Sequence, residues 1–435
     1  FRLAKSLESS PDAKVWTLKL KPGLMFSDKT PLDAAAVVSN WDRHKTPALG
    51  SACLSTTTGM GTYVAQDSTT VVITLPEARV GFPTQLAQCL SVIQSPTATA
   101  TYGASYGTTP ETTVGAGPFL LKEWLRGSQM TFDRNPGYWD KPRPYLDSMI
   151  LKPVSDPTQK LSAYQTGQAD FALFVSITQE VKALEQTGTT LYGYPTQGGG
   201  ADVAFNQSVP GLNDKRVRQA LVLATDQQDL NAKATGGSNT MVDTYFVKGT
   251  PHYNAKVKQV SNNLKKAQAL LDDYNKTNPP PNLTFTLTDS LQTWGQAQAQ
   301  QWARLKGINI TLNVVPATNA NTRLITGDWQ MAVTAITADN PETLNTQLNS
   351  TSRSNVIKYN NPSTDAALAQ LRAETNPKTA NELYSTITQN LFDDAAVVFW
   401  QRLTLPVAIR KGISGVEPFS SQTPDFAKVW IAAKA

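Results

Sequence analysis

Trp16-Thr-Leu-Lys-Leu-Lys-Pro-Gly-Leu-Met-Phe-Ser-Asp-Lys-Thr-Pro-Leu-Asp-Ala-Ala-Ala-Val-Val38 is the stretch that decides how this chain is read. Its first half alternates, with Trp16, Leu18 and Leu20 on one side and Thr17, Lys19 and Lys21 on the other, which predicts a half-buried strand. Pro22-Gly23 breaks the strand and Asp28-Lys29-Thr30-Pro31 makes a second turn. Asp33 is placed to cap a helix whose Val37, Val38 and Trp41 share a face. By pattern alone this is a strand–turn–helix unit found in many domains.

Four further blocks follow in order. They are Gly115-Ala-Gly-Pro-Phe119 running into Leu121-Lys-Glu-Trp124; Arg134-Asn-Pro-Gly-Tyr-Trp139; Pro144-Tyr-Leu-Asp147; and Phe205-Asn206 with Asp214-Lys-Arg-Val-Arg-Gln-Ala-Leu221, closing on Ala224-Thr-Asp226. In wording and order the set resembles the bacterial family 5 extracellular solute-binding proteins, the oligopeptide, dipeptide and nickel receptors of ABC importers. In that family a Trp-Thr strand leads through Pro-Gly into Phe-x-Asp-Gly-Thr-Pro-Leu and a Val-Val helix. The resemblance implies an α/β, two-lobed periplasmic-binding-protein-like fold of the large peptide-receptor class, its lobes joined by two hinge strands. It also implies an extracytoplasmic receptor, periplasmic or on the cell surface, with lipid anchoring left open. Such a receptor closes on its ligand and hands it to a permease. No catalysis and no cofactor are implied. Family members carry several dozen mature residues before this point, forming the first strands of the first lobe, so that segment is expected to lie outside the sequence.

Composition agrees with this class. The 435 residues suffice for two or three cores. Charged residues make up only 17%, and the net charge of +5 is spread along the chain, so no basic patch points to nucleic acid or membrane. A monomer is expected. Cys53 and Cys89 are the two cysteines; in an exported protein they form either a disulfide or a pair of small buried hydrophobes.

Residues 1 to about 203 read as short strands and turns with one or two helices, and Thr97 to Thr113 as surface loop. Gly198-Gly-Gly200 precedes an apolar strand, Val203 to Phe205, where a chain can bend or cross between lobes. A βαβ unit follows. Leu283, Phe285 and Leu287 alternate, a helix carries Leu291, Trp294, Trp302 and Leu305 on one side, Gly307 ends it, and Ile308, Ile310, Leu312 and Val314 alternate again. Val397 to Trp400 and Leu405 to Ile409 read as strands. With the family's chain path, this gives a first lobe of residues 1–203 plus 405–435 and a second of 204–404.

His44 and His252 are the only histidines, and neither has the convergent partners of a metal or catalytic site. Gly103-Ala-Ser-Tyr-Gly107 fits the nucleophile-elbow pattern, but its Thr-rich flanks lack the strand and helix that would present Ser105 as a hydrolase nucleophile. By the family's pattern, Asp339 in Thr334-Ala-Ile-Thr-Ala-Asp-Asn-Pro341 is the carboxylate for a peptide's α-ammonium group if the loop is two residues shorter, with Asn340 beside it; counted back from Pro341 without a gap, the position is Thr337. An Asp-Asn-Pro turn is the structural alternative. The family's aromatic residue in this loop is replaced by Ile336 or Ala335, which leans toward a non-peptide solute such as an oligosaccharide, opine or metal chelate. Phe399, Trp400, Tyr245 and Phe246 are candidates for cleft walls or for core. Asn206 is a candidate for a ligand hydrogen bond or for satisfying the hinge.

Overall fold

The computed structural model describes all residues except 1, 47, 48, 50, 52, 175–177, 194, 195, 339, 418–423 and 433–435; the side chains at 55, 89, 317 and 318 also lie outside the description. The chain forms two units, residues 1–155 with 411–435 and residues 156–410.

In the first unit, β1 (Ala4–Ser9), β2 (Val15–Leu20), β3 (Thr62–Ala65) and β4 (Thr70–Thr74) form an antiparallel sheet in the order β1-β2-β4-β3. The alternation expected of β2 is present, with Trp16, Leu18 and Leu20 buried and Val15 and Lys19 exposed. Asp33 caps the Ala34–His44 helix by accepting from the Ala36 amide at 2.8 Å, and Trp41 is buried with its indole donating to the Leu90 carbonyl. Three of the sequence blocks meet here. The Ser27 amide donates to the Gly115 carbonyl at 2.8 Å, and the buried Asn135 side chain donates to the Gly117 carbonyl at 2.8 Å. β5 (Phe119–Leu125), β6 (Gln129–Arg134) and β7 (Ser148–Leu151) form a second antiparallel sheet. The returning segment adds the pair Ile413–Ser414 and Trp430–Ile431, and Asp425 holds Arg2 at 2.5 Å.

Residues 1–203 are more helical than expected. The Thr-rich stretch holds a helix, Pro96–Tyr102, because Ser95 accepts from the Ala98 amide and Pro96 occupies the first turn, where its missing N–H costs nothing. Local caps here outweigh low intrinsic propensity.

The second unit contains a small antiparallel sheet, β8 (Phe171–Leu173) and β9 (Thr190–Tyr192) flanking the later strand Val407–Ile409. Its main sheet comprises β10 (Gly200–Phe205), β11 (Asn282–Thr288), β12 (Asn309–Val315), β13 (Met331–Ile336) and β14 (Val397–Gln401), in the order β12-β11-β13-β10-β14. β11 and β12 are parallel and joined through the Gln292–Trp302 helix, the βαβ unit read from the sequence. β10 runs antiparallel to both neighbours. Cores lie on both faces. Val203, Phe205, Val398 and Trp400 enter one, and Ala204, Ile336, Val397 and Phe399 the other. The outer edge of β14 is closed by amide side chains: Gln259 accepts from the Phe399 amide and donates to the Val397 carbonyl, and Gln227 donates to the Phe399 carbonyl. This blunts an edge that could otherwise template pairing. The lobe boundaries expected at 203/204 and 404/405 both fall inside this unit, the first within β10.

Lys29 holds φ at +67°, a left-handed conformation, where the resembling family has glycine. Lys29→Gly should therefore stabilise the first unit by about 1 kcal/mol, through relief of backbone strain partly offset by chain entropy. Urea unfolding measures it, and an unchanged or lower midpoint would refute this reading of the turn.

Candidate functional site

Polar and aromatic groups of the second unit converge where three backbone segments meet: Thr196–Gly200, Thr244–Phe246 and Ile336–Ala338. The Gly199 amide donates to the Tyr245 carbonyl at 2.8 Å, the Val247 amide to the Gln197 carbonyl at 3.0 Å, and the Tyr245 hydroxyl to the Ala338 carbonyl at 3.0 Å. Only glycine permits this approach. At Gly199, with φ +59°, a Cβ would stand 1.7 Å from the Ile336 carbonyl oxygen, and at Gly200 one would stand 2.1 Å from that of Gln401.

Arg402 fastens the junction from below. It is 3% exposed, and its guanidinium donates to the carbonyls of Gly199 at 2.9 Å, Thr244 at 2.5 Å and Tyr245. Burial pulls its pKa below the ordinary arginine value, with Asp243 opposing. Beside it on β10, Asp202 is fully buried and accepts from the Thr334 hydroxyl at 2.5 Å and the Ile336 amide at 2.8 Å. Neither residue was singled out in the sequence. The signal available was a charge interrupting an apolar strand, Ala201-Asp-Val-Ala-Phe205 in one case and the end of Val397–Arg402 in the other.

Asp339 lies outside the described residues. Asn340 follows at the end of this loop, half-buried, and caps the Pro341–Leu348 helix by accepting from the Thr343 amide at 2.9 Å. Tyr245 and Phe246 sit at the same junction, 1% and 4% exposed, packed edge-on to each other at 4.9 Å. Phe399 lies behind Tyr245 at 5.9 Å and is fully buried. Trp400 points to the opposite face, stacks on Trp294 at 5.2 Å and donates to the Gln298 side chain at 2.9 Å. Adjacent strand residues project to opposite sides, so Phe399 and Trp400 do not share a wall. Asn206 is not brought to this junction. Gly200 pairs with Ile336 and Phe205 with Met331, so Asn206 lies just past the other end of β10, roughly 20 Å along the strand. Its side chain donates to the Trp329 carbonyl and accepts from Ser208.

The remaining candidates are dispersed. His44 ends its helix with Nδ1 2.7 Å from the Ser51 hydroxyl, and burial lowers its pKa. His252 stacks on Tyr384 at 4.0 Å and meets the Asn381 side chain. Ser105 is exposed in a 3-10 turn that follows a helix, not between a strand and a helix, so the hydrolase reading finds no elbow. Among the described residues no group of three or more His, Cys, Asp or Glu could hold a metal ion. No described helix is long and apolar enough to cross a membrane. No described cysteine is free; Cys53 is half-buried, and the Cys89 side chain lies outside the description.

Comparison with known proteins places this architecture. Solved structures with the same fold include the binding protein AgaA of Agrobacterium tumefaciens with agropinic acid (TM-score 0.86, 22% identity, all of this chain and 90% of that one) and the ABC transporter-associated periplasmic binding protein DppA of Helicobacter pylori with the peptide STSA (TM-score 0.86, 20% identity, 99% and 89%). The class is thus the α/β periplasmic-binding-protein fold. The profile of the bacterial extracellular solute-binding proteins, family 5, matches residues 2–357, and the chain belongs to that family. It is a solute receptor of ABC importers and not an enzyme. Curated relatives include the glutathione-binding protein GsiB of Pectobacterium atrosepticum, 27% identical over 95% of this chain and 82% of the relative. Another is the probable D,D-dipeptide-binding periplasmic protein DdpA of Escherichia coli K12, 25% identical over 95% and 81%.

Gly199→Ala should abolish soluble expression or cost several kcal/mol, since the methyl group cannot coexist with the Ile336 carbonyl. Gly237→Ala, at φ +81° with nothing within 4 Å, should cost only about 1 kcal/mol. Equal losses in thermal melts would contradict the close-approach account.

Proposed function

We propose that this receptor captures short peptides with a free amino terminus, the loop 337–340 supplying the contact to the ammonium group through Asp339, with Asn340 at its rim. Two curated relatives spanning most of the chain carry glutathione and D,D-dipeptide binding in their names, and that is the observation supporting a peptide ligand. Tyr245 and Phe246 enter the proposal as the floor on which the loop rests, while Phe399, Trp400 and Asn206 serve as scaffold behind it. A carboxylate suits the task because a charge-assisted hydrogen bond to a desolvated ammonium contributes about 1.5–3 kcal/mol. Capture by hinge closure, delivery to a permease as a monomer, and a Cys53–Cys89 bridge belong to the same reading. The bridge is supported by the absence of a free thiol among the described cysteines.

The second reading is a non-peptide solute. It draws on Ile336 or Ala335 standing where peptide receptors of the family were expected to place an aromatic residue.

Calorimetry with glutathione and with Ala-Ala-Ala tests the proposal. Asp339→Asn should weaken binding of the peptide that binds by tenfold or more, and unchanged affinity would remove Asp339 from the site. Cys53 and Cys89 should resist thiol labelling until reduced; immediate labelling of both would refute the bridge.

A further inference from the structure

We infer that the groove between segment 250–254 and the outer face of the helix Pro377–Asp393 is a second ligand site, built for a small zwitterion that carries an ammonium and a carboxylate group. The groove lies wholly within the second unit and owes nothing to the 337–340 loop.

The helix has two faces. Tyr384, Ile387, Thr388 and Leu391 are buried, whereas Lys378, Asn381, Glu382 and Ser385, at i, i+3, i+4 and i+7, form one polar stripe. Segment 250–254 lies along that stripe and is fastened to it twice. His252 Nδ1 stands 2.6 Å from Asn381 Oδ1, and Asn254 Nδ2 donates to Ser385 Oγ at 3.0 Å. The segment is itself a tight turn, in which the Thr250 amide donates to the Val247 carbonyl at 3.1 Å and the Tyr253 amide to that of Thr250 at 3.2 Å. Behind it the imidazole stacks on the buried Tyr384 ring at 4.0 Å and meets Phe246 edge-on at 5.2 Å. What remains is an open groove of about 630 Å³, the size of a small-molecule site, with walls already fixed before a ligand arrives.

Those walls carry unspent hydrogen-bonding capacity. An amide oxygen only accepts, so the contact with Asn381 puts the ring proton of neutral His252 on Nδ1 and leaves Nε2 as an acceptor. The Asn381 amide nitrogen and the Ser385 hydroxyl hydrogen have no acceptor among the described residues. The charges decide the ligand class. Lys378 and Glu382 both line the groove one helical turn apart, in the lysine-first order that pairs less well. Neither side chain forms an ion pair or hydrogen bond among the described residues. The stripe therefore offers a cation and an anion about 6 Å apart. A dipeptide, with about 7 Å between its termini, spans them. Its ammonium group meets Glu382 and its carboxylate Lys378, and Asn381 stands between the two for the peptide bond. Both charges are exposed, which makes each contact weak, so binding is expected at about 1 mM.

The chain has only two histidines, and His44 belongs to the other unit. Imidazole nitrogen NMR of the full chain therefore reads this groove through His252, with His44 as an internal reference. Titration with Ala-Ala should move the His252 signals and leave those of His44 in place. Blocking one terminus, as N-acetyl-Ala-Ala or Ala-Ala-amide, should weaken the apparent affinity about threefold, and blocking both about tenfold. Lys378 and Glu382 are exposed, so their glutamine variants should fold normally. Glu382→Gln should reproduce the loss caused by acetylation, and Lys378→Gln the loss caused by amidation. A larger response to Ala-Ala than to alanine assigns the groove to peptides, and the reverse assigns it to free amino acids. Asp339→Asn should leave the His252 response intact, which separates failure of the loop reading from failure of this site. Three results would overturn the inference: a response undiminished when both termini are blocked, one retained in full by the double glutamine variant, or none in the millimolar range with either probe.

Discussion

A buried guanidinium with backbone carbonyls as its partners holds the second unit's junction together. Arg402 draws the carbonyls of Gly199, Thr244 and Tyr245 onto one planar group, and the glycines at 199 and 200 let the chains come close enough to be drawn. Removing a guanidinium from water is costly, and charge-assisted bonds to carbonyls offset the cost only if each is well placed. The fall in the Arg402 pKa expresses what remains unpaid by those bonds. Such an arrangement has little freedom to drift. Ile336 and Ala338 are tied to this junction by the close approach of Gly199 and by the Tyr245 hydroxyl.

Arg402 and Asp202 are both buried at this junction, and neither pairs with the other. Arg402 faces carbonyl dipoles, whereas Asp202 faces one hydroxyl and one amide. A salt bridge would have neutralised both charges, whereas here each is met by dipoles. Tyr245, Phe246 and Phe399 are all buried around this junction.

Local features were legible in the sequence. β2, the Asp33 cap, the βαβ unit and the strand at 397–400 all follow from periodicity and turn residues, because each is decided within a dozen residues. Long-range closure was not. Nothing near Gln259 announces that its amide seals the edge of a strand 140 residues away. The short helix at Pro96 was hidden because a cap and a proline overrode a poor helical composition. For the junction, the sequence reading singled out Tyr245-Phe246, which lie in it, and Asn340, which caps the helix that follows it. Asp202 and Arg402 escaped because a lone charge in an apolar run carries no sign of whether it faces water or dipoles. Strand alternation alone, however, already forbids Phe399 and Trp400 from lining one surface.

The most direct measurement is mass spectrometry of the protein purified without refolding, first native and then denatured, to identify what it carries. A peptide receptor that closes on its cargo should release a ladder of short peptides on denaturation, with masses that account for the native excess. A single non-peptide mass bound in stoichiometric amount would contradict the account and assign the loop to another solute.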